Sequence, residues 1–132
     1  MHDYPLTAGT TLLIVLLMFG TAWNVGRARE KYGVKAPATT GNEYFERAYR
    51  IQLNTMEWAM VFLPTLWLFA AYVNDRYAML AGLIGLAGRV LYAVSYQRDP
   101  ATRGTGFMIG MIAFGIIGLW AGFAVLRTLV GF

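Results

Sequence analysis

Four long stretches with almost no charge limit this chain to one kind of fold. They cover residues 4–26, 51–74, 77–97 and 104–126, and only Glu57 and Arg89 interrupt them. About 20 apolar residues in a helix cross a bilayer, so each stretch is long enough to span one. Together they take up most of the 132 residues. We therefore predict an all-α integral membrane protein, a four-helix bundle with four transmembrane helices in a single domain over residues 1–132.

The overall composition agrees with a membrane protein. Charged residues make up 14% of the chain, whereas soluble domains usually carry about 25%. The first stretch does not resemble a cleavable signal peptide, because Asp3 precedes it without any Lys or Arg and its apolar run is too long. The chain has no cysteine, which excludes disulfides, thiolate metal sites and a cysteine nucleophile. His2 is the sole histidine, so we expect no metal site and no Ser-His triad.

The basic residues are distributed asymmetrically between the two ends of the predicted bundle. Six lie between the first two stretches, and Arg98 and Arg103 lie between the last two, whereas the opposite end holds only Arg76 and Arg127. An excess of Lys and Arg marks cytoplasmic loops, so we place both basic loops in the cytoplasm and both termini on the other side. This distribution does not suggest a nucleic-acid partner. Anionic lipid headgroups would explain the basic loops as well as a functional site would.

Local signals predict where the helices end. Gly33 is a typical glycine just after a helix C-terminus. Thr40 and Glu43 have the spacing of a capping box, which predicts that the second helix starts there. Asp99 followed by Pro100 predicts the start of the fourth helix.

Glycines recur in the third and fourth stretches at spacings typical of closely packed membrane helices. They are Gly82, Gly85 and Gly88, then the GxxxG pairs Gly106/Gly110 and Gly118/Gly122. We interpret them as packing residues and give them no chemical role.

The two intramembrane charges fall at similar depths. Glu57 lies ~10 Å along its helix from Arg50, and Arg89 lies ~13 Å along its helix from Arg98, at 1.5 Å per residue. A charge within a bilayer costs roughly 2.5–3.5 kcal/mol at a helix centre, so it normally has a partner and a function. A buried Glu57–Arg89 ion pair that holds the helices together is the simplest interpretation.

A second interpretation is a polar cavity that opens toward the basic loops. Arg50, Asn54 and Glu57 are spaced to share one face of the second helix, whereas Gln52 is offset by about 200°. An ion pair would not need the other polar residues nearby, and these residues indicate a cavity: Arg50, Gln52, Asn54, Tyr92, Tyr96 and Arg103. Arginines clamp carboxylates and a glutamate accepts an ammonium, which suits a ligand such as glutathione. A nearby arginine would also stabilise its thiolate.

These residues carry a resemblance to a known family. The segments Phe45–Glu57 (FERAYRIQLNTME) and Gly88–Tyr92 (GRVLY), followed by Tyr96 and Arg103, are similar to the two motifs of the membrane-associated proteins in eicosanoid and glutathione metabolism (MAPEG). The similarity continues into Val25–Arg29 and covers nearly the whole chain. Within the family it is closest to the branch of type 2 and type 3 microsomal glutathione S-transferases and leukotriene-C synthase.

The resemblance implies a homotrimer with glutathione bound as co-substrate between subunits. By position, the glutathione-binding residues would be Arg50, Asn54, Glu57, Arg89 and Tyr92, with Arg29 and Gln52 contributed across the interface. Arg103 matches the arginine that stabilises the thiolate, and Tyr96 matches a second tyrosine of the site. The implied activity is a glutathione transferase, with possible peroxidase activity, acting on lipophilic electrophiles or lipid hydroperoxides from the membrane.

Two departures from the pattern distinguish this chain from a dedicated leukotriene-C synthase. Trp58 replaces a tyrosine that contacts glutathione, and Glu30 replaces an arginine that acts on the epoxide. Two other functions remain open: a non-enzymatic protein that binds or presents lipid, and a small proton-coupled drug transporter that uses Glu57. The sequence does not identify the electrophile. For the location, we expect a bacterial inner membrane rather than the endoplasmic reticulum.

Overall fold

The computed structural model describes residues 3–131, so His2 lies outside the described residues. Four long helices follow one another along the chain: α1 (Pro5–Tyr32), α2 (Glu43–Tyr72), α3 (Asp75–Arg98) and α4 (Gly104–Val130). A single 3-10 turn, Pro100–Thr102, links α3 to α4. The all-α prediction is confirmed.

Three parts of the chain are long and apolar enough to cross a membrane: α1, α3 and the segment Pro100–Val130 that contains α4. Helix α2 has 30 residues, but Gln52, Asn54 and Glu57 lower its mean hydropathy. The prediction of four spans is therefore confirmed for three helices, and a membrane-spanning α2 stays a prediction. At ~45 Å, α2 is longer than the hydrocarbon core is thick.

The helix ends follow some of the sequence signals and not others. Gly33 ends α1 in a left-handed conformation with φ 69°, as predicted. The capping box at Thr40 was wrong, because Asn42 caps α2 and accepts hydrogen bonds from the backbone N–H groups of Tyr44 and Phe45. Asp99 caps the 3-10 turn rather than α4 itself, which starts four residues after Pro100.

The helices pack with α2 and α3 in the centre and α1 and α4 on the flanks. Helices α2 and α3 contact each other, and each also contacts α1 and α4. The core between them is apolar and contains the fully buried side chains of Ile14, Phe62, Leu66 and Ile117. This arrangement leaves one outer face between α2 and α4 and another between α1 and α3.

Asp75 ties the first turn of α1 to α3 at the end of the bundle that holds the Asn74 turn. Tyr4, the N-cap of α1, has no side-chain capping bond. The carboxylate of Asp75 instead accepts hydrogen bonds from the backbone N–H groups of Leu6 and Thr7 and from the Thr7 hydroxyl, at 2.6–3.1 Å. These bonds satisfy N–H groups that a helix leaves unpaired and place a negative charge at the positive end of its dipole.

Glycine brings α3 and α4 into backbone contact, as predicted. A Cβ on Gly106 would lie 2.3 Å from the backbone nitrogen of Tyr92 and 2.7 Å from the carbonyl oxygen of Gly88. Small residues allow this approach between membrane helices. In contrast, a Cβ on Gly122 would meet nothing within 4 Å. The second GxxxG pair therefore makes no such approach within the chain.

The glycine contact gives a prediction about stability. We expect Gly106→Ala to lower the melting temperature of the purified protein, because the added methyl group would meet backbone atoms that cannot move aside alone. Overpacking of this kind usually costs about 1–3 kcal/mol. Gly122→Ala, on the same helix, is the control and should be neutral or slightly stabilising, since alanine favours helix by up to ~1 kcal/mol. Equal melting temperatures for the two variants would contradict the packing.

Candidate functional site

A polar cavity of about 300 Å³ opens between α2 and α3, beside the start of α4. Its lining comprises Arg50, Leu53, Asn54, Glu57, Tyr92, Tyr96 and Arg103. Helix α2 supplies the first four, α3 supplies the tyrosines, and the segment before α4 supplies Arg103. Six of the predicted site residues are therefore brought together, while Arg29, Gln52 and Arg89 lie elsewhere.

The spacing of residues on α2 explains why four of its side chains reach the same cavity. Positions 50, 53, 54 and 57 stand at i, i+3, i+4 and i+7, which is one stripe of an α-helix. Ile51, Thr55 and Trp58, each one position after a residue of this stripe, are buried on an adjacent side of α2. The cavity is thus the polar side of α2, and the core lies against the apolar side.

Glu57 is the one acidic residue among those that line the cavity. Its side chain is exposed on the surface of the single chain, and it forms neither a hydrogen bond nor an ion pair with any residue from 3 to 131. The proposed Glu57–Arg89 ion pair is therefore wrong. Within a bilayer an unpaired carboxylate is costly, so a membrane-spanning α2, which stays a prediction, would require a cation beside Glu57.

Arg89 lies behind the cavity wall instead of lining it. The side chain is only 1% exposed, and its Nη2 donates to Asn54 Oδ1 at 3.1 Å and to Thr55 Oγ1 at 3.2 Å. The guanidinium carbon lies 4.1 Å from the centre of the Tyr92 ring and 5.7 Å from the Trp58 ring. Neutral acceptors and aromatic faces stabilise this cation within the bundle, where a carboxylate was expected.

The bond from Arg89 fixes the orientation of Asn54. Because the carboxamide oxygen accepts from Arg89, the amide N–H groups of Asn54 are left as donors for the cavity. Arg89 therefore acts on the cavity through Asn54 and through Tyr92, whose ring packs on its guanidinium.

Arg103 stands at the rim of the cavity, beside the first turn of α4. Its Nη1 donates to the Pro100 carbonyl at 2.6 Å, and its guanidinium carbon lies 5.5 Å from the centre of the Tyr96 ring. The side chain is exposed, so its remaining N–H groups are available to a ligand. The unpaired N–H groups at the start of α4 add to the positive potential at this rim.

A second polar cavity of about 450 Å³ adjoins the first and shares Arg50 and Tyr96 with it. It is formed by the start of α2 and by Pro100 and reaches the end of the bundle that carries the basic loops. Arg47 joins the helices here, because its Nη1 donates to the carbonyls of Gln97 and Arg98 at the end of α3. The site is therefore open toward the loops.

Arg29 and Gln52 are remote from the cavity of their own chain. The Nη1 of Arg29 donates to the Ala38 carbonyl at 2.7 Å, and its guanidinium carbon lies 4.8 Å from the Phe45 ring centre. In this chain Arg29 therefore holds the α1–α2 loop. Gln52 is half-buried on another side of α2, as its offset of about 200° from Asn54 predicts.

The sequence analysis missed three residues that shape the site. Leu53 adds an apolar patch to the lining, Thr55 is the second acceptor for Arg89, and Arg47 joins α2 to the end of α3. Trp58 faces the core and donates its Nε1–H to the Gly110 carbonyl at 3.3 Å, so it offers no hydrogen bond to the cavity. The stripe spacing could have indicated Leu53, but no sequence signal connects Thr55 to Arg89.

Comparisons with known proteins place this architecture in a family. Residues 7–123 match the model of the MAPEG family. An uncharacterised protein of Synechocystis is 48% identical over 108 residues, which cover 82% of this chain and 76% of that protein. Human microsomal glutathione S-transferase 2 is 38% identical over 106 residues, covering 80% of this chain and 72% of the human protein.

Leukotriene C4 synthase of Cavia porcellus is 42% identical over 101 residues, which cover 76% of this chain and 67% of the synthase. The family match extends through all four helices and includes every residue of the polar cavity. This chain is a member of the MAPEG family.

Proposed function

We propose that this protein is a membrane-bound glutathione transferase that binds glutathione in the polar cavity between α2 and α3. The observation that carries the proposal is the isolated carboxylate of Glu57 in a cavity whose other charged groups, Arg50 and Arg103, are guanidiniums. The relatives named above include a glutathione S-transferase and a leukotriene C4 synthase. Both names describe proteins of the family to which this chain belongs.

The charges of glutathione complement those of the cavity. The tripeptide carries two carboxylates, one ammonium and one thiol. Glu57 would accept the ammonium of the γ-glutamyl group, and Arg50 would bind a carboxylate through paired N–H groups. Asn54 would donate to the peptide with the amide that Arg89 orients. Arg50, Asn54 and Glu57 would thus each bind one group of the tripeptide.

Arg103 would activate the thiol of glutathione for catalysis. A free thiol titrates near pH 8.5, so most glutathione carries its sulfur proton at neutral pH. A guanidinium next to the sulfur stabilises the thiolate and makes the nucleophile abundant. The thiolate then forms a carbon–sulfur bond with the electrophile, and the leaving group departs with its electron pair, or an epoxide opens. The thiol proton passes to water through the open cavity. Reduction of lipid hydroperoxides would use the same thiolate and stays a prediction.

One chain does not enclose the ligand. A volume of about 300 Å³ is at the lower limit for ligand pockets, and the exposed side of Glu57 faces away from the chain. A neighbouring copy that covers this face would complete the site, and Arg29 and Gln52 are the residues that the family pattern assigns to it. We therefore propose a homotrimer in which the electrophile reaches the site from the bilayer, at the boundary between two subunits. We place the loop end in the cytoplasm of a bacterium.

The two other functions fit the geometry less well. A transporter of cationic drugs would draw them to Glu57, but Arg50 and Arg103 line the same cavity and would repel them. A protein that only presents lipid does not need a cavity with three charged side chains.

We expect Arg103→Ala to reduce the rate of glutathione conjugation to 1-chloro-2,4-dinitrobenzene by about 100-fold or more, because loss of one group that stabilises a developing anion has such an effect. The ultraviolet absorbance of bound thiolate should disappear in stopped-flow mixing, while calorimetry still detects glutathione. Arg76→Ala, at the opposite end of the bundle, is the control and should keep the wild-type rate. An unchanged rate in Arg103→Ala would remove this residue from catalysis.

Glu57→Gln tests the orientation of glutathione. The substitution removes the charge but keeps the shape, so we expect the affinity for glutathione to fall about 10- to 100-fold, the equivalent of one charge-assisted bond. A glutathione analogue that lacks the γ-glutamyl amino group should bind the variant and the wild type with similar affinity, as measured by calorimetry. Equal losses for both ligands would show that Glu57 does not meet the ammonium.

Mixed oligomers test the shared site. Gln52→Glu places a negative charge toward an anionic ligand, so we expect this variant and Arg103→Ala each to lose most activity. Trimers that contain both kinds of chain, purified through separate tags after co-expression, should regain activity in about one third of their sites if each site uses two neighbouring chains. No recovery, or full activity of Gln52→Glu alone, would contradict the arrangement.

A further inference from the structure

The face between α1 and α3, which has no part in the polar cavity, holds a long groove with two distinct halves. The halves are cavities of about 670 and 420 Å³ that share Asn24 and Gln97. None of their lining residues lines the polar cavity. The groove is therefore separate from the polar cavity.

One half of the groove is apolar. Its walls include Leu16, Leu17 and Gly20 of α1, Ile51 of α2, and Val94 of α3. From Leu16 to Arg27 the groove follows α1 for ~16 Å at 1.5 Å per residue. This length is about half of the ~30 Å hydrocarbon core, which is the depth of one leaflet. The apolar half suits one acyl chain of a lipid.

The other half of the groove is basic. Arg27 and Lys31 of α1 line it, and Arg98 of α3 lines the apolar half next to Gln97, which both halves share. All three side chains are exposed, and none pairs with a carboxylate among residues 3–131. Glu30 is the one acidic residue among those that line the groove. Because three cationic side chains and one acidic side chain line the groove, it favours a negatively charged headgroup.

The floor of the basic half and the junction are polar without being charged. Tyr32 and Tyr44 stack at 5.8 Å between ring centres, and the Lys31 ammonium lies 5.4 Å from the Tyr32 ring centre. Asn24 stands at the junction and makes no hydrogen bond with residues 3–131 through its side chain. An amide at this depth suits the ester groups that join acyl chains to a glycerol backbone.

We propose that this groove is a binding site for an anionic glycerophospholipid. One acyl chain lies along the apolar half between α1 and α3, the ester region lies at Asn24, and the phosphate contacts Arg27, Lys31 and Arg98. Basic pockets between membrane helices bind anionic headgroups in this way. The lipid joins the flanking helix α1 to α3 and so stabilises the bundle, because any ligand that binds only the folded state does so. The proposal does not depend on glutathione binding.

The test uses the purified full-length protein in a neutral maltoside detergent, titrated with phosphatidylglycerol or with phosphatidylcholine of the same acyl chains. Native mass spectrometry counts bound lipid, and thermal unfolding reports its effect. We expect phosphatidylglycerol to bind about tenfold more tightly than phosphatidylcholine and to raise the melting temperature more. The double variant Arg27→Gln/Lys31→Gln should reduce that preference to about twofold, while the control Arg76→Gln keeps it.

A second variant tests the apolar half and does not depend on the charges. A Cβ on Gly20 meets nothing within 4 Å, so Gly20→Phe should fold while its ring fills the groove. We expect it to lose phosphatidylglycerol binding and to keep glutathione binding in calorimetry. Gly9→Phe, at another open position of α1, is the control.

Three results would overturn the lipid site. The first is equal binding of the two lipids to the wild type. The second is undiminished phosphatidylglycerol binding in Gly20→Phe. The third is stabilisation by glycerol phosphate that equals the stabilisation by the whole lipid, which would show that the apolar half plays no part.

Discussion

The buried guanidinium of Arg89 is the interaction on which the arrangement of α2, α3 and α4 depends. Its Nη2 donates to two side chains of α2, its aliphatic part passes within 3.2 Å of where a Cβ on Gly110 would stand, and the Tyr92 ring packs against it. A cation held this way constrains both neighbouring helices at once. It fixes the rotation of α2 through Asn54 and Thr55, and it leaves little room for a side chain at Gly110 of α4.

This arrangement also determines the electrostatics of the site. Because Arg89 takes neutral acceptors, its positive charge is not cancelled and reinforces Arg50 and Arg103 around the cavity. Glu57 likewise has no ion-pair partner among residues 3–131, so its negative charge is not cancelled either. An Arg89–Glu57 ion pair would have neutralised both residues and left a structural link with no function for the remaining polar groups. The same residues therefore form a charged binding site only because the two opposite charges do not meet within the chain.

Much of the fold and of the cavity followed from the sequence, because both rest on helical periodicity. The residues that line the cavity on α2 were predictable from their spacing, and the close glycines of α3 and α4 from theirs. The partners of Arg89 were not predictable, since similar depth does not show which way a side chain turns about its helix axis. The cap of α2 was misassigned because Thr40 and Asn42 both resemble N-caps, and only the path of the loop decides between them. A single chain shows that Arg29 and Gln52 do not line its own cavity, but it does not show whether they line the cavity of a neighbouring chain.

The position of Glu57 on the outer surface of the bundle links the site to assembly. A carboxylate facing hydrocarbon is costly, whereas one facing a neighbouring subunit and a bound ammonium is compensated. The face between α1 and α3 is different, because its charges lie only at the loop end and the rest is apolar, which lipid tolerates without a protein partner. The polar cavity and the groove therefore differ in what they require of their surroundings. If α2 spans the bilayer, as predicted, the proposed subunit contact and ligand would shield Glu57, whereas the charges of the groove lie at the loop end and need no protein cover.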